Sequence, residues 1–172
     1  LFIERKNPTF LLDVLTTLTK SRSDIVVIFW GKGPLESQIL KKAKLLELYD
    51  KIRIQKPIFG KEKNKIHNLA DIFVHPSTDE GFALAPLEAM ACAKPVVITN
   101  GYSSSEAVDD GVNGFLCNAN DMNDWTRKLT QLVNNHQLRK RMGQASLLKV
   151  KKEFQWSLAV KKHLEVFSSL IK

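Results

Sequence analysis

Residues 79–99 read DEGFALAPLEAMACAKPVVIT, and the fold turns on how they are divided. The preceding run DIFVHPS, from Asp71 to Ser77, is short and apolar and predicts a buried strand. The alanine-rich run from about Leu84 to Ala93 predicts a helix, and Lys94 and Pro95 close it because proline cannot continue the backbone pattern. Val96 to Thr99 then predicts a second buried strand. This is the rhythm of βα units and a parallel sheet.

The same stretch carries a candidate site. The helix opens beside Gly81 and Phe82, where first-turn N–H groups and the positive end of the helix dipole attract phosphate. Gly81 lets an anion approach the main chain closely. Glu80 stands just before the opening and Glu88 one to two turns inside, which separates them by roughly 6–9 Å along the axis. That is about the span from a hexose to a ribose across a pyrophosphate, and carboxylates accept hydrogen bonds from vicinal hydroxyls. The residues alone leave other readings open. Glu80, like Thr78 or Asp79, could be a cap or dipole partner, and Glu88 in an apolar helix needs something to pair with it.

Outward from this stretch the alternation continues. Further strands are expected at Leu1 to Ile3, Ile25 to Trp30, Ile52 to Gln55 and Phe115 to Cys117, with the central one at Ile72 to His75. Pro8 opens a helix with an apolar face of Phe10, Leu11, Val14, Leu15 and Leu18, and Pro34 opens another with Ile39, Leu40, Ala43 and Leu46. Helices are also expected near Lys61 to Leu69 and from Asp121, an N-cap, to Asn134. The last third is almost entirely helical in pattern, ending in a stripe of Trp156, Ala159, Val160, Leu164 and Phe167. The expected fold class is α/β, a Rossmann-like parallel sheet with helices on both faces, in a single domain over residues 1–172.

Composition limits the function classes. With 172 residues, 44% hydrophobic and 26% charged, the chain can fold without disulfides or metal. No apolar run reaches the roughly 20 residues that cross a bilayer, LFIERKNP lacks the zones of a signal peptide, and the missing initial methionine suggests a fragment. Cys92 and Cys117 lack metal-binding spacing and read as buried thiols. The four histidines are scattered, so neither a metal site nor a cofactor is expected; His75 reads as a satisfied structural histidine. The net charge of +8 suits nucleic acid, anionic lipid or a sugar diphosphate, but the chain has no nucleic-acid reading motif and no specific nucleic acid is expected.

Several ordered blocks carry a resemblance: RKNPTFLLDVL, VVIFWGKGPLESQI, NLADIFVHPSTDEGF, KPVVITN, EAVDDGVNGFLC and FQWSLAVKKHLEVF, together with the glutamate pair Glu80 and Glu88. The chain resembles the retaining nucleotide-sugar glycosyltransferases of family four, and in particular the C-terminal half of their GT-B fold. The resemblance implies that Glu80 contacts the donor sugar hydroxyls near the anomeric carbon, and that Lys6 neutralises the donor diphosphate, making these two the catalytic residues. It implies that the main chain of Gly81, Phe82, Ala83 and Leu84 receives the phosphates and that Glu88 holds the ribose hydroxyls. Gly31 and Gly33 of WGKGP, otherwise a plain turn, would line the nucleotide cleft, and Ile58 would run along the base. The family carries a partner arginine upstream on the same loop; either it was lost with a truncation or Arg5 partly replaces it.

The resemblance further implies transfer of a sugar from a nucleotide diphosphate sugar to an acceptor glycan or glycolipid with retention of configuration. The acceptor-binding N-terminal domain would be a separate part of the protein, against which the closing helix packs. The expected setting is the cytoplasm, at the inner face of a membrane with peripheral contact. Three departures stand out: Ala83 in EGFA and Ala93 in ACAKP replace family glycines, each adding only a methyl group, and YSSSE places Tyr102 and Ser103 where paired glycines approach the donor. If that change closes the sugar pocket, the alternative is a non-catalytic nucleotide-sugar-binding subunit or sensor on the same fold.

Overall fold

The computed structural model describes residues 1–170 and, of residues 103 and 104, the backbone alone. Among the described residues five strands and seven α-helices follow in the order α1 (Phe10–Thr19), β1 (Val27–Trp30), α2 (Glu36–Leu45), β2 (Ile52–Gln55), α3 (Lys63–Leu69), β3 (Phe73–His75), α4 (Leu84–Ala91), β4 (Val96–Thr99), β5 (Gly114–Cys117), α5 (Met122–Asn134), α6 (His136–Glu153) and α7 (Trp156–Leu170). All strand pairings are parallel. Asp121 caps α5 as expected, its carboxylate accepting the N–H groups of Asn123 and Asp124, and Asn135 both ends α5 and caps α6.

Side-chain alternation along the strands puts helices on both faces. Val97, Phe115, Cys117 and Val74 point to one side, where Val14, Leu18, Trp125, Leu129 and Leu132 from α1 and α5 cover them. Val96, Ile98, Leu116 and Phe73 point to the other, against Ala89, Met90 and Val150 from α4 and α6. Trp125 is fully buried, donates its indole N–H to the Asn118 carbonyl at 2.9 Å and meets Phe10 edge-on. A third cluster joins Phe29 and Ile52 of β1 and β2 to Leu12, Leu15, Ile39 and Ala43. Helix α6 rides close to the chain end of α4: a Cβ at Gly143 would overlap the Ala93 carbonyl, and Ser146 donates to the Asn113 carbonyl at 2.7 Å.

The expected α/β class, parallel strands with helices on both faces, is what the chain forms, and its strands are divided into two parallel sheets, β1–β2 and β3–β4–β5. Leu1 to Ile3 is not a strand, because Phe2 pairs with a loop instead of a ladder: its N–H donates to the Lys32 carbonyl at 3.0 Å and its carbonyl accepts from Leu35 at 3.1 Å. This segment joins the two sheets, since the Arg5 carbonyl accepts from the Thr78 N–H and the Ser77 hydroxyl just beyond β3, each at 2.8 Å. The closing helix α7 has no buried residue; Trp156, Val160, Leu164 and Phe167 are all exposed. Cys117 is buried, and Cys92 only partly so.

Candidate active site

The site lies where β3 ends and α4 begins. Three-residue β3 delivers His75, then Pro76 and Ser77, both buried, and a short exposed loop leads through Gly81 and Phe82 to the helix. Ala83, the residue before α4, is extended at φ −81°, ψ 124°. The alanine there is unstrained. A Cβ at Gly81 would meet nothing within 4 Å, so its main chain faces open space. Phe82 stacks on Phe154 with ring centroids 6.2 Å apart, and Leu84 is exposed.

Lys6 enters from a tight turn at Glu4–Lys6. Asn7 closes that turn in the left-handed conformation (φ 48°), and its side-chain amide donates at 2.8 Å to Asn120, another left-handed asparagine (φ 57°). The turn is thereby tied on one side to the loop before α5 and on the other, through the Arg5 carbonyl, to Ser77 and Thr78. Held this way, the Lys6 ammonium forms an ion pair with Glu80 Oε1. Burial, then the neighbouring Arg5 charge, lowers the Lys6 pKa below the ordinary lysine value. Arg5 itself is exposed. Glu80, only 10% exposed, also takes the Ser77 hydroxyl at 3.0 Å and has His75 Nε2 at 3.4 Å, all on Oε1.

Glu88 has the partner its apolar helix demands. Lys63 of α3 donates to Oε1 at 2.8 Å, and His67 Nε2 lies 3.7 Å from Oε2. Burial lowers the His67 pKa, with Glu88 working in the opposite direction. Aromatic rings join the two acids: His75 stacks on Phe73 at 6.1 Å, and Phe73 meets His67 at 5.7 Å. Glu80, His75, Phe73, His67 and Glu88 therefore make one continuous row across the strand end.

Other expected residues lie outside this row. Gly33 is required by packing, because a Cβ there would overlap the main chain of Phe2; Gly31, at φ +146°, sits against Leu1 and the Phe2 ring. Both shape the loop that anchors the N-terminal segment. Ile58 is on the border of exposure in the loop after β2, beside exposed Phe59. Ala93 corrects the view of a harmless added methyl group: its φ is +56°, a conformation that suits glycine and burdens alanine. His75 is not satisfied, since its buried Nε2 has no hydrogen-bond partner, and burial followed by the Lys6 charge pushes its pKa down to about 4. Sequence reading gave no signal for Lys63 or His67, whose approach to Glu88 is a tertiary contact. Among the described residues no group of histidine, cysteine and acidic side chains could hold a metal ion, and no helix is long and apolar enough to cross a membrane.

Known proteins resemble the chain in sequence and in fold. The family model for group 1 glycosyl transferases matches residues 2–148. The D-inositol 3-phosphate glycosyltransferase of Corynebacterium urealyticum is 31% identical over 173 residues, covering 96% of this chain and 40% of that protein. The protein of the same name from Salinispora tropica is 30% identical over 154 residues, covering 86% and 32%. The crystal structure of the C-terminal domain of the group 1 glycosyl transferase LpcC from Francisella tularensis superposes with a TM-score of 0.77 at 25% identity, over 90% of this chain and 83% of that one. HepE from Anabaena, crystallised with UDP-glucose, superposes with a TM-score of 0.86 over 98% of this chain and 46% of that one; at 21% identity the likeness is one of fold. The chain spans about a third of the length of the curated relatives it matches.

Proposed function

The chain belongs to the group 1 glycosyltransferases, and on that premise we propose that residues 1–172 are the donor-binding C-terminal half of a retaining GT-B hexosyltransferase, completed by an N-terminal acceptor domain. The observation that carries this is the pairing of Glu80 with Lys6 just before the start of α4, with Glu88 further along the same helix. In this reading the nucleotide sugar lies across the helix start. Glu80 receives the sugar hydroxyls, and the main chain from Gly81 through Phe82 and Ala83 to Leu84 receives the phosphates. Glu88 receives the ribose after releasing Lys63. Lys6 lies where charge develops on the leaving diphosphate, and a fixed cation in a partly desolvated place stabilises that charge without reorganisation.

Arg5, exposed on the same turn, adds positive potential toward the phosphates. Gly31 and Gly33 act indirectly, by holding the segment that presents Lys6, and Ile58 flanks the base. The exposed apolar stripe of α7 is the surface offered to the N-terminal domain. The donor is a nucleotide diphosphate sugar, with a uridine nucleotide the first choice because HepE was crystallised with UDP-glucose. The acceptor is a glycan or glycolipid, reached from the cytoplasmic face of a membrane. A thermal-shift panel of UDP-glucose, GDP-mannose and ADP-glucose, run with and without Glu88→Ala, tests the reading. One donor should raise the melting temperature of the wild type and lose its effect in the variant; no shift with any donor, or an equal shift in the variant, contradicts it.

A further inference from the structure

We propose that His75 is a positioning residue for Glu80: its ring N–H fixes Oε1 of the carboxylate so that Oε2 is presented to the donor sugar, an inference that rests on the donor-site reading above. His75 ends β3, in register with Ile98 of β4, and its ring lies nearly parallel to that of Phe73 at 18°. The ring therefore has little freedom to turn. Nε2 is buried beyond reach of solvent and has no hydrogen-bond partner, yet it stands 3.4 Å from Glu80 Oε1. A bound molecule cannot touch an atom that water cannot reach, so Nε2 can act on a ligand only through Glu80.

Glu80 needs the help. Ser77 has a single hydroxyl proton, and three acceptors compete for it: the Arg5 carbonyl at 2.8 Å, Glu80 Oε1 at 3.0 Å and the Asp79 carbonyl at 3.3 Å. Lys6, although its turn is firmly held, presents a point charge that sets distance better than plane. A neutral imidazole in the Nε2–H tautomer supplies the missing directional donor, whereas the other tautomer would aim a lone pair at the carboxylate. Hydrogen bonds at catalytic groups are often long in unliganded proteins and tighten when the ligand binds. Oε2 takes no protein partner among the described residues. One oxygen is thus held by the protein, and the other is left to accept a sugar hydroxyl.

The test uses the full-length protein with His75→Leu, which removes the donor, and His75→Gln, whose amide N–H can take the place of Nε2–H. Calorimetry with UDP-glucose, GDP-mannose and ADP-glucose, each against its parent diphosphate, reads the affinity that the sugar adds. His75→Leu should cut that increment by about three- to tenfold, as expected for one ordinary hydrogen bond that acts on the sugar only through Glu80, and leave the diphosphate unchanged. His75→Gln should restore most of it. An unchanged increment in His75→Leu, or an equal loss for sugar nucleotide and diphosphate, overturns the proposal. Long-range ¹H–¹⁵N spectra of the unliganded protein should show the Nε2–H tautomer, with the Nε2 resonance shifted by Glu80→Gln; an Nδ1–H tautomer also overturns it. If no ligand binds the wild type while the spectra show this coupling, the donor-site reading fails and the His75–Glu80 pairing stands.

Discussion

Glu80 is about nine-tenths shielded and gathers Lys6, Ser77 and His75 on one oxygen, whereas Glu88 is 34% exposed and pairs with Lys63 and, more distantly, His67. The supports differ as much as the exposure. Lys6 sits on a turn tied down at both sides, while α3, which carries Lys63 and His67, buries no residue of its own. A carboxylate fixed by a rigid shell is prepared for a transition state, because its orientation is set before the ligand arrives. A carboxylate held by a surface lysine can exchange that partner for a ligand at small cost, since such pairs contribute about 0–1 kcal/mol. On the proposed reading, the same functional group serves chemistry at one end and binding at the other.

The largest break in this contrast should come from Glu80→Ala in the full-length enzyme. Turnover should fall by roughly 10²–10³-fold, the usual range for losing a preorganised transition-state contact, while circular dichroism and the melting temperature stay near wild type. Near-normal turnover would remove Glu80 from the mechanism.

Acid probes the burial of His75, beside the more shielded of the two acids. His75 has a folded pKa of about 4 against an ordinary 6.5, so the unfolded chain takes up the proton first. The stability associated with neutral His75 is complete above pH 6.5 and is lost progressively as pH falls toward about 4. His75→Phe should abolish up to about 3 kcal/mol of that loss in urea titrations across the window, by the conversion of about 1.4 kcal/mol per pH unit. An identical acid profile would mean that the ring is not held neutral.

Ala93, at the far end of α4, serves as a control on stability alone. Ala93→Gly should relieve the left-handed alanine and stabilise the fold by about 0.5–1 kcal/mol without changing ligand affinity. Smallest of all, Lys63→Met should leave nucleotide affinity within about threefold of wild type, because the Lys63–Glu88 pair is weak and must open in any case. A loss of tenfold or more would make Lys63 itself a ligand group.

The parallel α/β organisation was legible because buried strands and amphipathic helices impose different periods on the same chain, and Ile52 to Gln55 and Val96 to Thr99 match β2 and β4. Asp121 was legible as a cap because its short acidic side chain reaches the free N–H groups of the first turn. Leu1 to Ile3 misled, since a three-residue apolar run looks the same whether its hydrogen bonds go to a strand or, as here, to the loop at Lys32 and Leu35. The two acids could be singled out by their spacing around one helix start, Glu80 before α4 and Glu88 within it. Their partners could not: Lys6 is 74 positions from Glu80 and Lys63 is 25 from Glu88, and only the folded chain joins them. The glycines of WGKGP suggested a ligand loop, but a close approach of Phe2 accounts for Gly33. His75 seemed a satisfied core histidine because sequence does not show where a buried N–H points.

Calorimetric titration of the full-length protein with one sugar nucleotide and its parent diphosphate, repeated for Glu80→Gln and Glu88→Ala, separates the two ends directly. Glu88→Ala should weaken both ligands by the same factor, about ten- to a hundredfold for a charged hydrogen-bonding group, while Glu80→Gln should weaken only the sugar's added affinity. Two variants with the same pattern, or two with no effect, would contradict a donor bound across the start of α4 with one acid at each end.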